Sequence, residues 1–224
     1  MFLVEIMDLI GTAAFAVSGV LVGIRNKLDL FGIFVLATIT ASGGGLIRDV
    51  IIKKGLPVFF TEPKYLITIV ISTVIACVIV HFAYNFLNKI QTLIQIFDAI
   101  GLGVFTVLAT YGSILAGVPI IGIVFTAVLT GVGGGVMRDI MANDVPLVFR
   151  SEIYALASII GSLAFYFLYG VLDVTVNVYL CIFVVFAIRM VSMHFKLNLP
   201  IISIKDGAMG GTGYENKGYE EYNG

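Results

Sequence analysis

The sequence predicts an all-α membrane protein: seven transmembrane helices, arranged as two inverted three-helix repeats plus one extra helix. Three observations carry that prediction. First, 59% of the 224 residues are hydrophobic and only 12% are charged, where a soluble domain uses roughly 25% charged residues. A chain so poor in charge cannot cover its own surface in water, and the bilayer is its solvent. Second, apolar runs of about 20 residues recur, separated by short polar breaks. Third, the segment "ITASGGGLIRDVI" from Ile39 to Ile51 returns as "LTGVGGGVMRDIM" from Leu129 to Met141.

The elements follow in order. The first span runs from Val4 to Ile24; its start, "MFLVEIMDLIG", carries Glu5 and Asp8 rather than a basic segment and does not read as a cleaved signal peptide. The second runs from Leu30 to Ile52, the third from Tyr65 to Leu87, the fourth from Thr92 to Leu115 and the fifth from Val118 to Ala142. The sixth, Ile153 to Leu172, is parted from the seventh, Val174 to Phe195, only by the weak break "YGVLDV" near Asp173. Each run is long enough to span at 1.5 Å per residue. The connections leave no room for a soluble domain, so residues 1–200 form one transmembrane domain. The Gly-rich, acidic tail at 205–224 lacks apolar periodicity and is expected to be disordered.

Sliding the chain by ninety residues reveals the repeat. From Asp8 to Asp49, 15 of 42 positions are identical to their partners without a gap, where apolar composition alone gives about 4. Asp8 meets Asp98, Gly11 meets Gly101, Phe15 meets Phe105 and Thr40 meets Thr130. Gly43, Gly44 and Gly45 meet Gly133, Gly134 and Gly135, and Arg48 and Asp49 meet Arg138 and Asp139. Pro57 and Pro146 agree within one residue. Repeat one spans 4–88 and repeat two 92–172, with the seventh helix (174–195) unpartnered. Three helices per repeat force the second copy to enter from the opposite side, which is inverted topology.

Three glycines near mid-span lower helix stability by about 1 kcal/mol each relative to alanine. Two readings stand for them: a kinked or unwound backbone lining a wet path, whose freed carbonyls serve as cation ligands, or close helix packing. Arg48, Asp49, Arg138 and Asp139 should face a polar interior and pair, because a lone charge at the bilayer centre costs roughly 2.5–3.5 kcal/mol. The two-fold suggests Arg48 pairing with an acid of the second repeat (Asp139 or Asp98) and Arg138 with one of the first (Asp49 or Asp8). Alternatively, the pairs only hold helices together. Asp8 and Asp98 read either as acids stabilising helix N-termini or as a negative pore mouth. Thr40, Ser42 and Thr130 offer hydroxyl ligands beside the triplets.

Several function classes are excluded. A net charge of −1 provides no basic field for nucleic acid. Cys77 and Cys181 read as buried core residues, and His81 and His194 as interfacial, so neither a metal site nor a cofactor is expected. "SGGGLIRD" lacks the Lys-Ser/Thr of a phosphate loop, and no hydrolase or protease pattern occurs, so the chain is not expected to be an enzyme. The loop charges favour an N-terminus outside and a C-terminus inside. Arg25, Lys27, Lys89, Arg150, Lys196 and Lys205 fall on the inner side, against Lys53, Lys54 and Lys64 outside. The expected location is the cell inner membrane, multi-pass.

Seven spans, two repeats and a doubled GGGxxRD motif resemble the prokaryotic branch of the trimeric intracellular cation (TRIC) channels, over nearly the whole chain up to about Leu199. The same family has also carried the label of a glycine-transporter-like domain. The resemblance implies a homotrimer with one pore per protomer, conducting K+ and, as a second candidate, Na+. In that family the pore lies between the repeats, constricted at the kinked second and fifth helices. The positions carried over are Gly43 to Gly45, Arg48 and Asp49, with Gly133 to Gly135, Arg138 and Asp139. The animal members' basic lipid-binding motif is replaced here by "ASGGGLIRD", so phosphoinositide regulation does not transfer. A secondary transporter of a small solute such as glycine is the alternative, since broken helices in inverted repeats also suit that task.

Overall fold

The computed structural model describes residues 2–52, 55–82, 89–150 and 153–195. Lys53, Lys54, Lys196, Lys205 and the tail at 205–224, all used in the sequence reading, lie outside the described residues. The helices are α1 (Phe2–Arg25), α2 (Leu30–Ile52), α3 (Val58–Thr61), α4 (Pro63–Phe82), α5 (Ile90–Leu115), α6 (Ile120–Met141), α7 (Leu147–Arg150), α8 (Ile153–Leu168) and α9 (Val174–Phe195). Six of them are long and apolar enough to cross a membrane.

The sixth expected span is shorter than the sequence suggested. Its apolar run continues to Leu172, but Gly170 adopts φ +86° and turns the chain, so α8 stops at Leu168. At 16 residues it covers about 24 Å, less than a typical hydrocarbon core of ~30 Å. Asp173 then accepts a hydrogen bond from the Thr175 N–H at 2.8 Å, capping α9 as the weak break requires. Asp29 caps α2 likewise, taking the Gly32 N–H at 2.7 Å. The short helices α3 and α7, absent from the sequence reading, each begin directly after a proline of the repeat, Pro57 or Pro146.

Helices α1 and α5 form the centre and are largely buried, whereas α4 and α9 turn most of their surface outward. Contacts from Gly11 to Val104, Phe15 to Gly101 and Ser18 to Ile94 run in opposite sequence directions, so α1 and α5 are antiparallel. Phe15 and Phe105, matched in the repeat, stack at 5.3 Å between centroids. Around this centre α1–α2–α4 and α5–α6–α8 repeat the same packing, and α9 lies against α5 and α8. Small residues set the spacing: a Cβ on Gly19 would come within 2.7 Å of the Ala37 Cα, and one on Gly101 within 2.4 Å of the Phe15 ring. His81 and His194 are exposed, as expected. Cys181 is buried, but Cys77 is only half-buried, because α4 turns that side outward.

The α1–α2 contact at Gly19 is backbone against backbone, so no rotamer change relieves it. Gly19→Leu is therefore expected to lower the melting temperature of the detergent-purified protein by several degrees, corresponding to about 1–3 kcal/mol. An unchanged melting curve would refute the packing described here.

Candidate functional site

The two glycine triplets meet. A Cβ on Gly44 would come within 2.4 Å of the Thr130 carbonyl oxygen, and one on Gly134 within 2.4 Å of the Thr40 carbonyl oxygen. Gly43 and Gly133 face the opposite helix in the same way, against Met137 and Gly134, and against Ile47 and Gly44. The helical hydrogen-bond ladder nevertheless runs unbroken through both triplets. Of the two expected forms, kinked or unwound, unwound turns with freed carbonyls are not what the triplets adopt: close approach of α2 and α6 offsets the glycines' poor propensity and keeps both helices wound. Gly45 and Gly135 lie to the side of this crossing. A Cβ on Gly45 would make only ordinary contacts, 3.9 Å from Arg48 Nη2 and from the Phe105 ring, while Gly135 faces the Tyr154 hydroxyl and Asp98.

One helical turn past each triplet sits an arginine between two carboxylates. Arg48 Nη1 lies 3.3 Å from both oxygens of Asp8, and its Nε donates to Asp49 Oδ1 at 3.0 Å. Arg138 Nη1 donates to Asp98 Oδ1 at 2.7 Å, and its Nε to Asp139 Oδ1 at 2.9 Å. The pairing expected across the repeats is corrected: each arginine takes its acids from its own repeat. The glycine crossing occupies the space between α2 and α6, while α1 packs along α2 and brings Asp8 alongside Arg48. Asp8 and Asp98 are also not helix-terminal acids. Neither sits in the first turn of its helix, and both are buried partners of an arginine.

The second carboxylate oxygen of each motif aspartate has its own task. Asp49 Oδ2 accepts the Val58 N–H at 2.8 Å, and Asp139 Oδ2 accepts the Leu147 N–H at 2.9 Å. Each therefore caps the short helix that follows its span, α3 or α7, and folds that segment back over the site. Sequence reading missed these roles, and it missed Tyr65, whose hydroxyl donates to Asp8 Oδ2 at 2.9 Å. A signal was present: Tyr65 and Tyr154 match with the same one-residue slip as Pro57 and Pro146. Two further polar residues carried no repeat signal. Ser18, matched to Leu108, accepts from Arg138 Nη1 at 2.6 Å, and the buried Arg189 of α9 lies over the Tyr154 ring at 4.5 Å.

Two clefts flank the crossing. The first, about 290 Å³, is lined by Asp8, Thr12, Ser42, Gly45, Arg48 and Asp49, with Tyr65 at its side. The second, about 310 Å³, is lined by Arg25, Gln91, Arg138, Asp139, Asp144 and Arg150. Asp8 and Arg25 lie at opposite ends of α1, roughly 25 Å apart at 1.5 Å per residue, so the clefts enter from opposite ends of the bundle. Between them stand the glycine crossing and the Phe15–Phe105 stack. Thr40 and Thr130 line neither cleft: the Thr40 hydroxyl donates to the Leu36 carbonyl at 2.6 Å, and the buried Thr130 hydroxyl has no hydrogen-bond partner among the described residues. Ser42 donates to the Thr38 carbonyl at 2.7 Å and still faces the first cleft. The described residues hold no His/Cys/Asp/Glu group suited to a metal ion.

The model of a family described as glycine transporter matches the chain twice, over residues 5–81 and 95–170. The UPF0126 inner membrane protein YadS of Escherichia coli (strain K12) is 35% identical over 208 residues, covering 91% of this chain and 98% of that one. A crystal structure of a prokaryotic TRIC channel in 0.5 M KCl superposes with a TM-score of 0.81 at 33% identity, covering 89% of this chain and 100% of that one. The TRIC orthologue from Rhodobacter sphaeroides superposes with a TM-score of 0.79 at 25% identity, over 88% and 100%.

Two outcomes follow from this geometry. Gly44→Ala should destabilise the protein by about 1–3 kcal/mol, while Gly45→Ala, with nothing nearer than 3.9 Å to its Cβ, should leave thermal unfolding in detergent unchanged; equal effects would contradict the crossing. Asp98→Asn removes one of the two carboxylates around a fully buried guanidinium, with Asp139 remaining, and should cost about 1.5–3 kcal/mol. Asp8→Asn should cost less, because Arg48 keeps 11% of its side chain exposed where Arg138 keeps none. The same unfolding assay ranks the two.

Proposed function

Since the chain belongs to the family described as glycine transporter and shares its fold with prokaryotic TRIC channels, we propose that it is a passive channel for monovalent cations, chiefly K+. It is a multi-pass inner-membrane protein with the N-terminus outside, and one pore runs through each protomer of a homotrimer. The reading rests above all on the pair of charged clefts that approach the α2–α6 crossing from opposite ends. Each cleft is lined by a motif arginine and aspartate, and each arginine sits between two carboxylates. At each motif this leaves one carboxylate in excess over its arginine, the polarity that attracts cations and repels anions.

Gly43 and Gly44 against Gly133 and Gly134 form the constriction, flanked by Met137 and Ile47, which seat on the opposite triplet. Separation of α2 and α6 joins the clefts. Asp49 and Asp139 then stand at the two edges of the narrow zone, where their carboxylates substitute for part of the ion's hydration shell. Arg48 and Arg138 hold those carboxylates in place, and the surplus carboxylate at each motif bars anions. The alternative, a secondary transporter for a small solute such as glycine, is favoured by the family's name and by inverted repeats. It requires a substrate pocket that closes on both sides, and the two clefts here are shallow and separate.

Recording from the purified protein in planar bilayers tests the proposal. Unitary currents reversing near the K+ equilibrium potential support a channel; saturable glycine uptake without unitary current would replace it with the transporter. Asp49→Asn and Asp139→Asn are each expected to change unitary conductance or cation selectivity in correctly folded protein. If permeation is unaltered in both, these carboxylates serve structure alone.

A further inference from the structure

The second cleft carries at its mouth a polar cluster that joins the two repeats, whereas at the first cleft's end the described ion pairs, Lys64 with Glu5 and Glu62, stay within repeat one. Arg25, the last residue of α1, donates from Nη1 to Gln91 Oε1 of α5 at 2.6 Å and pairs through Nη2 with Asp144, just beyond α6. All three line the cleft that ends at Arg138 and Asp139. Both charged ends are fixed by helix-terminal turns of one type. After α1, Lys27 takes φ +56° and the Leu28 N–H donates to the Gly23 carbonyl; after α6, Asn143 takes φ +57° and the Asp144 N–H donates to the Asp139 carbonyl. These are Schellman-type C-caps. They place Arg25 and Asp144 without dependence on loop motion.

The cluster breaks the symmetry of the repeats. Ninety residues on from Arg25 stands Leu115, an exposed apolar side chain at the end of α5. The pair also solves a problem particular to this cleft, which is lined by three arginines, Arg25, Arg138 and Arg150. Arg138 is already held by Asp98 and Asp139. Arg25, about a quarter exposed, stands toward the entrance together with the exposed Arg150, where it would repel an approaching cation unless offset.

We propose that Arg25 and Asp144 are the specificity-determining pair of this entrance. Asp144 cancels the Arg25 charge, Gln91 holds the guanidinium against it, and cations are thereby admitted to a mouth otherwise rich in arginine. The inference rests on the channel reading above and assigns to that reading residues outside the repeated motif. If the pair acts by charge, its two single neutralisations have opposite signs. Asp144→Asn leaves Arg25 unopposed and lowers the cation current entering from this side, together with the cation-to-anion permeability ratio. Arg25→Gln leaves Asp144 unopposed and raises both. One unit charge at about 8 Å in water changes local ion concentration roughly two- to threefold at low salt. At 1 M salt the Debye length falls to about 3 Å and the effect should vanish. The substitutions alter charge at this cleft alone, so the change appears as rectification.

The test is bilayer recording of the wild type, Arg25→Gln, Asp144→Asn and the exchange of Arg25→Asp with Asp144→Arg, in 50 mM and 1 M KCl, on protein verified as folded by size-exclusion chromatography. The proposal expects opposite shifts of rectification and reversal potential in the two single variants. It expects the exchanged pair to return toward wild type, and all differences to collapse in 1 M KCl. Shifts of the same sign, no shift, or shifts that persist in 1 M KCl would each overturn it and leave the pair a structural tie between α1 and α6. Failure of the exchanged pair to recover would do the same. A wild type that conducts while the variants behave identically defeats this inference alone; a silent wild type defeats the channel reading and this inference with it.

Discussion

A guanidinium inside a membrane protein has to be surrounded by carboxylates that reach it without help from water, and that constraint organises this structure. Arg48 and Arg138 each take one acid from the next position on their own helix and one from the helix packed beside it. The neighbouring acid sits about two turns into α1 or α5, so the pairing sets how those helices pack against α2 and α6. Losing either acid leaves the arginine one remaining carboxylate and an unmet donor in low dielectric, a penalty comparable to a core packing defect. The motif aspartate works twice, binding arginine with one oxygen and capping a short helix with the other. Charge neutralisation and the covering of each cleft are thus one arrangement.

The glycine triplets act on a different scale. They supply absence of volume, so that a carbonyl from each helix can approach the other's backbone. A tight crossing, with Met137 and Ile47 each seated on a glycine of the opposite helix, separates the clefts. The two halves are nevertheless unequal. Ser18 adds a hydrogen bond to Arg138 that Leu108 cannot return to Arg48, and Arg189 of the unpartnered α9 lies against Tyr154 in the second half alone. The second arginine is consequently sealed where the first retains some exposure.

Much of this was legible from the chain. The ninety-residue register paired Asp8 with Asp98, Phe15 with Phe105 and the two GGGxxRD segments, and the structure places each matched residue in the matching environment. The register slips by one residue beyond Asp49, and there Tyr65 and Tyr154 went unnoticed although they match as Pro57 and Pro146 do. Ser18, Arg25, Gln91 and Asp144 left no trace in the repeat, because they belong to what distinguishes the halves. The triplets were misread as unwound because helix propensity was weighed without the helix opposite, whose close contact reverses the balance.

The sequence alone determined the solvent, the alternation of apolar spans with short breaks, and the chemistry of the recurring motif. Those follow from composition, run length and periodicity, all properties local to the chain. Which acid each arginine meets, whether the glycines break or pack, and which residues gather at a cleft mouth were decided only by tertiary structure. These depend on distances between helices far apart in the chain, and interhelical distance is set jointly by side chains on both partners.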